Sequence, residues 1–245
     1  MAKILAHRGA NKYAPQNTIP AFKKALEFDI DGFENDVHLT ADGKIVVCHN
    51  HTVDDTSNGN GYISEMTFDE LRKLDFGSYF SDEFKGTQIP LLSEFFDLCK
   101  GLSVINVEIK TPAKPNSLVK DTVDLARKYG FDNTLLISCF TPAILKECRD
   151  YAPDIRTALL YDSNSGDYPE ISKNPVAFCQ KLGCSAVHPH YSEVDEEYIK
   201  AFHAAGMAVN PWTVDDETVM KNLVSWGVDC IITNVPDKAV EILGK

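Results

Sequence analysis

Three kinds of feature are missing from this 245-residue chain, and each absence removes a class of function. No run of apolar side chains approaches the ~20 residues that a membrane-spanning helix needs. The amino terminus, MAKILAHRGAN, enters strand-like sequence directly, with neither an apolar h-region nor a cleavage site. No cluster of Lys and Arg occurs, and 24 basic against 36 acidic side chains leave a net charge of −12. A nucleic-acid surface or an anionic membrane surface is therefore disfavoured. The seven cysteines are scattered and odd in number, and no two of them form a CxxC pair. That spacing argues against zinc and dithiol redox sites and points to reduced, core-filling thiols. The expectation is a soluble, cytoplasmic chain with no stable membrane insertion; no feature assigns an oligomeric state. An anionic substrate would need local Arg or Lys side chains to overcome the overall negative field.

What is present is a regular alternation of strand and helix patterns. Strands are expected at Lys3–His7, from Gly32 towards a turn at Ala41, and at Val104–Lys110, Leu135–Cys139, Ile155–Leu160, Ser185–Pro189, Ala208–Thr213 and Cys230–Thr233, each followed by a helical pattern. The first helix is expected to be capped by Asn17 or Thr18 and to run to about Phe28, with Pro20 in its first turn. Ala41-Asp42-Gly43 makes a turn from the second strand into a short partner, Lys44–His49. Eight βα units in about 250 residues favour a closed (β/α)8 TIM barrel. Nothing resembles the glycine-rich loop of an open dinucleotide-binding sheet. The rhythm breaks only at residues 50–90, a polar, turn-rich excursion carrying Phe76, Tyr79, Phe80 and Phe84. It reads either as an inserted subdomain or lid, or as a solvated loop that its aromatics anchor. The domain expectation is one barrel over residues 1–245 with this small insertion after the second strand.

The chemistry gathers where strands end. In the stretch GFENDVHL, Phe33, Val37 and Leu39 alternate with Glu34, Asp36 and His38, so an extended strand turns the two acids to one face, about 7 Å apart at ~3.4 Å rise per residue. In VINVEIK, Ile105, Val107 and Ile109 face the helices, leaving Asn106, Glu108 and Lys110 inward. Glu34, Asp36 and Glu108 then form an oxygen-rich set suited to magnesium or calcium rather than zinc. Lys110 alone could neutralise one of these acids but not easily three, and an uncompensated buried charge costs several kcal/mol. His7 and His49, at strand ends beside the acids, suit a general acid and base for a phosphodiester, although a lone histidine is more often a hydrogen-bonded structural ring. Arg8 would clamp phosphate oxygens and Lys110 would add a second positive charge. Asn210 and Trp212 face inward on the seventh strand, and Trp212 is either core packing or the floor of a pocket for a glycerol moiety. His51, His188 and His190 are rivals for the acid and base roles; His188 also sits at a strand end, nothing in its setting names a role, and it is read as packing or pocket lining.

Assembled, these residues resemble the glycerophosphodiester phosphodiesterase family. The likeness runs through HRG at His7 to Gly9, NT..AF at Asn17 to Phe22, E.DV..T.DG at Glu34 to Gly43, the histidine after VV at His49 and TSNG at Thr56 to Gly59. It continues with IP.L.E at Ile89 to Glu94, VEIK at Val107 to Lys110, WTV at Trp212 to Val214 and GVD.IIT at Gly227 to Thr233. The order and spacing of these motifs are more specific than any one of them. The resemblance implies a (β/α)8 barrel and hydrolysis of glycerophosphodiesters to sn-glycerol 3-phosphate and an alcohol, with one divalent cation, Mg or Ca. It casts His7 and His49 as the acid/base pair, Glu34, Asp36 and Glu108 as metal ligands, and Arg8 and Lys110 as phosphate or glycerol contacts. It further implies attack by the neighbouring glycerol hydroxyl, giving a cyclic phosphate that water opens.

Three positions depart from the family pattern: Gln16 where Glu is usual, Asn50 where Asp is usual, and Asp55 where Arg is common. They are expected to alter headgroup preference or the histidines before abolishing activity. Two other readings compete. One is a related barrel phosphodiesterase acting on lysophospholipids, which needs an exposed apolar rim; the other is a non-catalytic phosphoglycerol-binding barrel.

Overall fold

The computed structural model describes residues 1–112, 114–163 and 169–245. The strands are β1 (Lys3–His7), β2 (Gly32–Leu39), β3 (Ile45–Val47), β4 (Val104–Ile109), β5 (Leu135–Cys139), β6 (Arg156–Tyr161), β7 (Ala186–Pro189), β8 (Ala208–Val209) and β9 (Cys230–Thr233). The helices are α1 (Ile19–Ala25), α2 (Phe68–Leu71), α3 (Leu92–Leu98), α4 (Leu118–Lys128), α5 (Pro142–Tyr151), α6 (Pro169–Lys173), α7 (Pro175–Leu182), α8 (Glu196–Ala204), α9 (Glu217–Ser225) and α10 (Pro236–Leu243).

Strand order is β8-β7-β6-β5-β4-β2-β1-β9, parallel throughout, with β3 pairing antiparallel on β2. The ends of that row meet. Asp229 N–H donates to Val209 O at 3.2 Å, Ile232 N–H to Pro211 O at 3.1 Å and Val214 N–H to Ile232 O at 2.9 Å, so the sheet closes into the expected (β/α)8 barrel. The expected strand over 208–213 keeps regular pairing only at Ala208–Val209. Pro211 has no N–H to give to a ladder; Asn210 and Trp212 on either side of it still donate to Val187 O and Pro189 O.

Period-two patterning decides which side chain meets which layer. Phe33 and Val37 of β2 and Ile105, Val107 and Ile109 of β4 join the large core between strands and helices, where Phe22, Phe33 and Phe95 pack with ring centroids 4.6–5.6 Å apart. The opposite faces supply a smaller interior cluster that includes Leu5, Val104, Leu136 and Ile232. β2 and β4 approach so closely at their starts that a Cβ on Gly32 would lie 1.8 Å from Val104 O. Thr18 caps α1, its hydroxyl accepting from Ala21 N–H; the helix ends at Ala25, three residues before Phe28, where the chain tightens into successive turns.

Residues 50–90 hold α2 and short 3₁₀ turns at Ile63–Glu65 and Asp82–Phe84. Val53, Ile63, Leu71, Phe76 and Ile89 bury themselves against Val46 and Cys48 of the barrel, forming a separate small core. Of Phe76, Tyr79, Phe80 and Phe84, Phe76 is the anchor, while Tyr79 and Phe80 stay exposed. All seven cysteines are buried and unpaired. Among the described residues no helix is long and apolar enough to cross a membrane.

Inside the barrel, His188 of β7 is fully buried and takes a hydrogen bond at Nε2 from the Asn210 amide at 3.0 Å. Burial pulls its pKa down to about 3 from an ordinary 6.5. The unfolded chain therefore takes up a proton that the folded state refuses, so stability is present above 6.5 and is lost as pH falls towards 3. His188→Gln, which cannot titrate there, is expected to flatten the fall in stability between neutral pH and pH 5 by about 2 kcal/mol. Urea unfolding of both proteins across that range checks it, and parallel stability curves would contradict it.

Candidate active site

The carboxyl ends of β1, β2 and β4 face one another because their register is parallel and in step. His7 lies opposite Glu34, and Asp36 lies opposite Glu108. One ligand oxygen from each of Glu34, Asp36 and Glu108 comes within 4.8 Å of the others. All three acids are buried. The three acids expected to converge are thus brought together.

Two cations reach them. Lys110 Nζ lies 2.8 Å from Asp36 Oδ1 and 2.5 Å from Glu108 Oε1, and Arg8 Nε lies 3.3 Å from Asp36 Oδ2. Arg8 can turn inward because it takes a left-handed backbone (φ 54°) and is followed by Gly9 (φ 82°), whose absent Cβ would sit 2.6 Å from Ala21 C. The Arg8 N–H is held by Glu34 O at 2.9 Å. Arg8 also donates to Gln16 Oε1 at 2.6 Å, so the first departure from the family pattern meets the guanidinium as a neutral acceptor.

Three carboxylates against two cations leave one negative charge in excess, and the titration of the group reflects it. Burial, reinforced by Asp36 and Glu108, pushes Glu34 well above the usual carboxylate range. Burial pushes Glu108 up to about 7 against the pull of Lys110. Burial would raise Asp36 too, but Lys110 and Arg8 outweigh it and hold that carboxyl below its usual range. Lys110 stays protonated despite burial because Asp36 and Glu108 flank it. An oxygen-only donor set with one uncompensated charge fits a hard divalent cation, which Glu34, Asp36 and Glu108 could hold.

The two histidines sit in matching hydrogen-bond chains. His7 Nδ1 lies 2.6 Å from Asn234 Oδ1; Asn234 in turn donates its amide N–H to Asp215 Oδ2 at 2.7 Å. Asn11 donates to the same Asn234 oxygen at 2.6 Å. His49 Nδ1 lies 2.6 Å from Asn50 Oδ1, and Asn50 donates to Asp55 Oδ2 at 2.7 Å. Each amide points its oxygen at the ring, so each ring carries its proton on Nδ1 and leaves Nε2 free. His7 Nε2 lies 3.8 Å from Glu34 Oε2. Burial, with Arg8 beside it, brings His7 down to about 3, and burial lowers His49 as well, so both rings are neutral at pH 7.

Trp212 is half-buried at the same end, its indole N–H donating to His188 O at 2.8 Å and its ring edge-on to Phe140 and His190. None of these contacts is with the acids; the next residue, Thr213, reaches His7 Nδ1 at 3.5 Å. His51 meets His38 edge-on, His190 bonds Ser192 and His188 bonds Asn210, and none of these contacts is with the acids. A cavity of about 600 Å³ runs from Lys110 past His38 and Thr111 to Lys114. A larger one, about 670 Å³, opens at the opposite end, among the first residues of the strands and far from this chemistry.

Sequence reasoning missed Asn17, which donates to Asp36 Oδ2 at 2.7 Å rather than capping α1. It also missed Asn234 and Asp215. Asn234 directly follows the last strand, so the strand-end rule that found His7 could have found it; Asp215 carries no such signal.

With this geometry in view, the comparisons are consistent. The Glycerophosphoryl diester phosphodiesterase family matches residues 7–238. A glycerophosphodiester phosphodiesterase of Caldanaerobacter subterraneus is 35% identical, covering 99% of this chain and 98% of that protein. The crystal structure of a glycerophosphodiester phosphodiesterase from Agrobacterium tumefaciens superposes with a TM-score of 0.86 at 28% identity, covering 98% of this chain and 100% of that one. A phosphodiesterase of Oleispira antarctica, solved with the product sn-glycerol-3-phosphate, superposes with a TM-score of 0.85 at 26% identity, covering 100% and 98% of the two chains. A barrel of this kind is a phosphoric diester hydrolase. The chain belongs to the glycerophosphoryl diester phosphodiesterase family.

Lys110→Met removes the ammonium that Asp36 and Glu108 share, and stranding buried charge in this way costs about 3–5 kcal/mol. We expect a loss of that size in metal-free protein, partly recovered when Glu108→Gln is added. Urea unfolding in chelator checks both, and a stable single variant would contradict the charge balance.

Proposed function

We propose that this chain is a metal-dependent glycerophosphodiester phosphodiesterase, releasing sn-glycerol 3-phosphate and an alcohol from glycerophosphodiesters. The observation that carries the proposal is the convergence of Glu34, Asp36 and Glu108 beside His7 at one end of the barrel. The product bound by the Oleispira antarctica relative supports the glycerol phosphate half of the substrate.

In this reading Glu34, Asp36 and Glu108 hold one divalent cation, Mg or Ca. When bound, the cation supplies Lewis-acid charge for the phosphoryl oxygens. Arg8 and Lys110 bind and orient the phosphate, and Trp212 borders the glycerol side. One imidazole takes the proton of the attacking glycerol hydroxyl at its free Nε2; the other, neutral in the free protein, first takes up a proton from solvent at its Nε2 as the anionic diester binds, and gives it to the departing alkoxide. Water then opens the cyclic phosphate with the two roles reversed, which returns both rings to their starting states. The hydroxyl is already tethered next to phosphorus, so little entropy is lost in reaching it.

We also take residues 1–245 as one domain with 50–90 as an inserted subdomain that acts as a lid. The support is contact with the site: Asn50 partners His49 and is held in turn by Asp55, and the Tyr79 hydroxyl accepts from Gln16 N–H at 3.1 Å. A cytoplasmic setting is supported by the seven buried, unpaired thiols. A second reading, hydrolysis of lysophospholipids, is favoured by one feature, the exposed Tyr79, bonded to Gln16, and the exposed Phe80 next to it in the chain.

Glycerol 3-phosphate release should be measured from a panel of glycerophosphodiesters, with and without chelator. We expect turnover of soluble glycerophosphocholine that chelator abolishes and added Mg or Ca restores. Turnover of lysophosphatidylcholine alone would favour the second reading, and no turnover of any diester would leave a binding protein. His7→Ala and His49→Ala are each expected to lower kcat by about 10² or more; near-normal turnover by either would refute its assignment.

A further inference from the structure

Two of the three departures from the family pattern touch each other. Asn50 donates its amide N–H to Asp55 at 2.7 Å while its amide oxygen receives His49 Nδ1 at 2.6 Å. An amide has one accepting and one donating end, so only one of its two orientations suits a ring that must keep its proton on Nδ1. A carboxylate at position 50 would present oxygen either way and would need no help. An amide needs a neighbour that selects its orientation, and an acceptor-only carboxylate does this by claiming the N–H end.

We propose that Asp55 is a positioning residue: acting through Asn50, it fixes the His49 tautomer that leaves Nε2 free for proton transfer. This rests on the role given to His49 above. The matching chain behind His7 has the same polarity, with the Asp215 carboxylate holding the Asn234 amide so that its oxygen meets the ring. An arginine at 55 has only donors, so it would draw the Asn50 oxygen towards itself and turn the N–H end to His49. Asparagine at 50 therefore requires an acceptor at 55, and the two positions form one coupled unit rather than two independent changes. Asp55 is exposed, and its side chain has no part in the apolar core of the insertion, so its replacement is expected to leave folding intact.

The test compares wild type, Asp55→Arg and the double variant Asn50→Asp with Asp55→Arg. Each is assayed on glycerophosphocholine with the divalent cation present and by ¹⁵N NMR of the His49 ring in metal-free protein. We expect Asp55→Arg to lower kcat about tenfold with a smaller change in KM, as a fraction of the 10²–10⁴ that proton transfer supplies. His49 Nδ1 should then lose its proton to Nε2. Adding Asn50→Asp should restore both kcat and the Nδ1-protonated ring, although the arginine is still present. Unchanged turnover and ring state in Asp55→Arg would overturn the proposal, as would a loss that Asn50→Asp does not relieve. If wild type fails to turn over the diester, the functional reading fails by itself, and the ring spectra of the three proteins still decide the role of Asp55.

Discussion

Five ionic side chains, four of them buried and the fifth, Arg8, half-buried, govern the carboxyl end of this barrel. Asp36 sits at their centre, contacted by Lys110, Arg8 and Asn17, and it is the acid whose ionisation is secured. Glu34 and Glu108 share what positive charge remains, and burial leaves both reluctant to ionise. Such a cluster costs folding free energy, since desolvating a charge is repaid only in part by a neighbour. The cost is concentrated where a multiply charged ligand can relieve it.

The hydrogen-bond chains behind the histidines solve a different problem. An imidazole used for proton transfer needs a fixed tautomer, and a carboxylate in direct contact would fix it while also raising its basicity. Here an amide stands between ring and carboxylate in both chains, Asn234 between His7 and Asp215, Asn50 between His49 and Asp55. The tautomer is set and no full negative charge touches Nδ1. The two chains draw on distant parts of the sequence, one from the segments that follow the last two strands and one from the insertion.

Much of this was legible in the residues alone. Alternation of Phe33, Glu34 and Asp36, and of Ile105, Asn106, Val107 and Glu108, identified faces correctly because period two is a local property of extended backbone. Strand ends pointed to His7 and Arg8 because a parallel barrel collects them at one rim. The partners were harder to see. Asn17 read as a helix cap because Asn commonly is one; its bond to Asp36 depends on where α1 packs. The expected length of β8 ignored Pro211, whose missing N–H was visible in the sequence. The meeting of Asn50 and Asp55 was hidden, since neither residue alone signals that the other answers it.

The order and spacing of the motifs by themselves determined the family, the barrel and the identity of the three acids, because each depends on patterns within a few residues or on element count. Tertiary structure decided which oxygens converge, which cations neutralise them and which amides hold the histidines. Those outcomes depend on strand register and on contacts between segments as distant as His7 and Asn234, and short-range sequence pattern carries no distance information across such gaps.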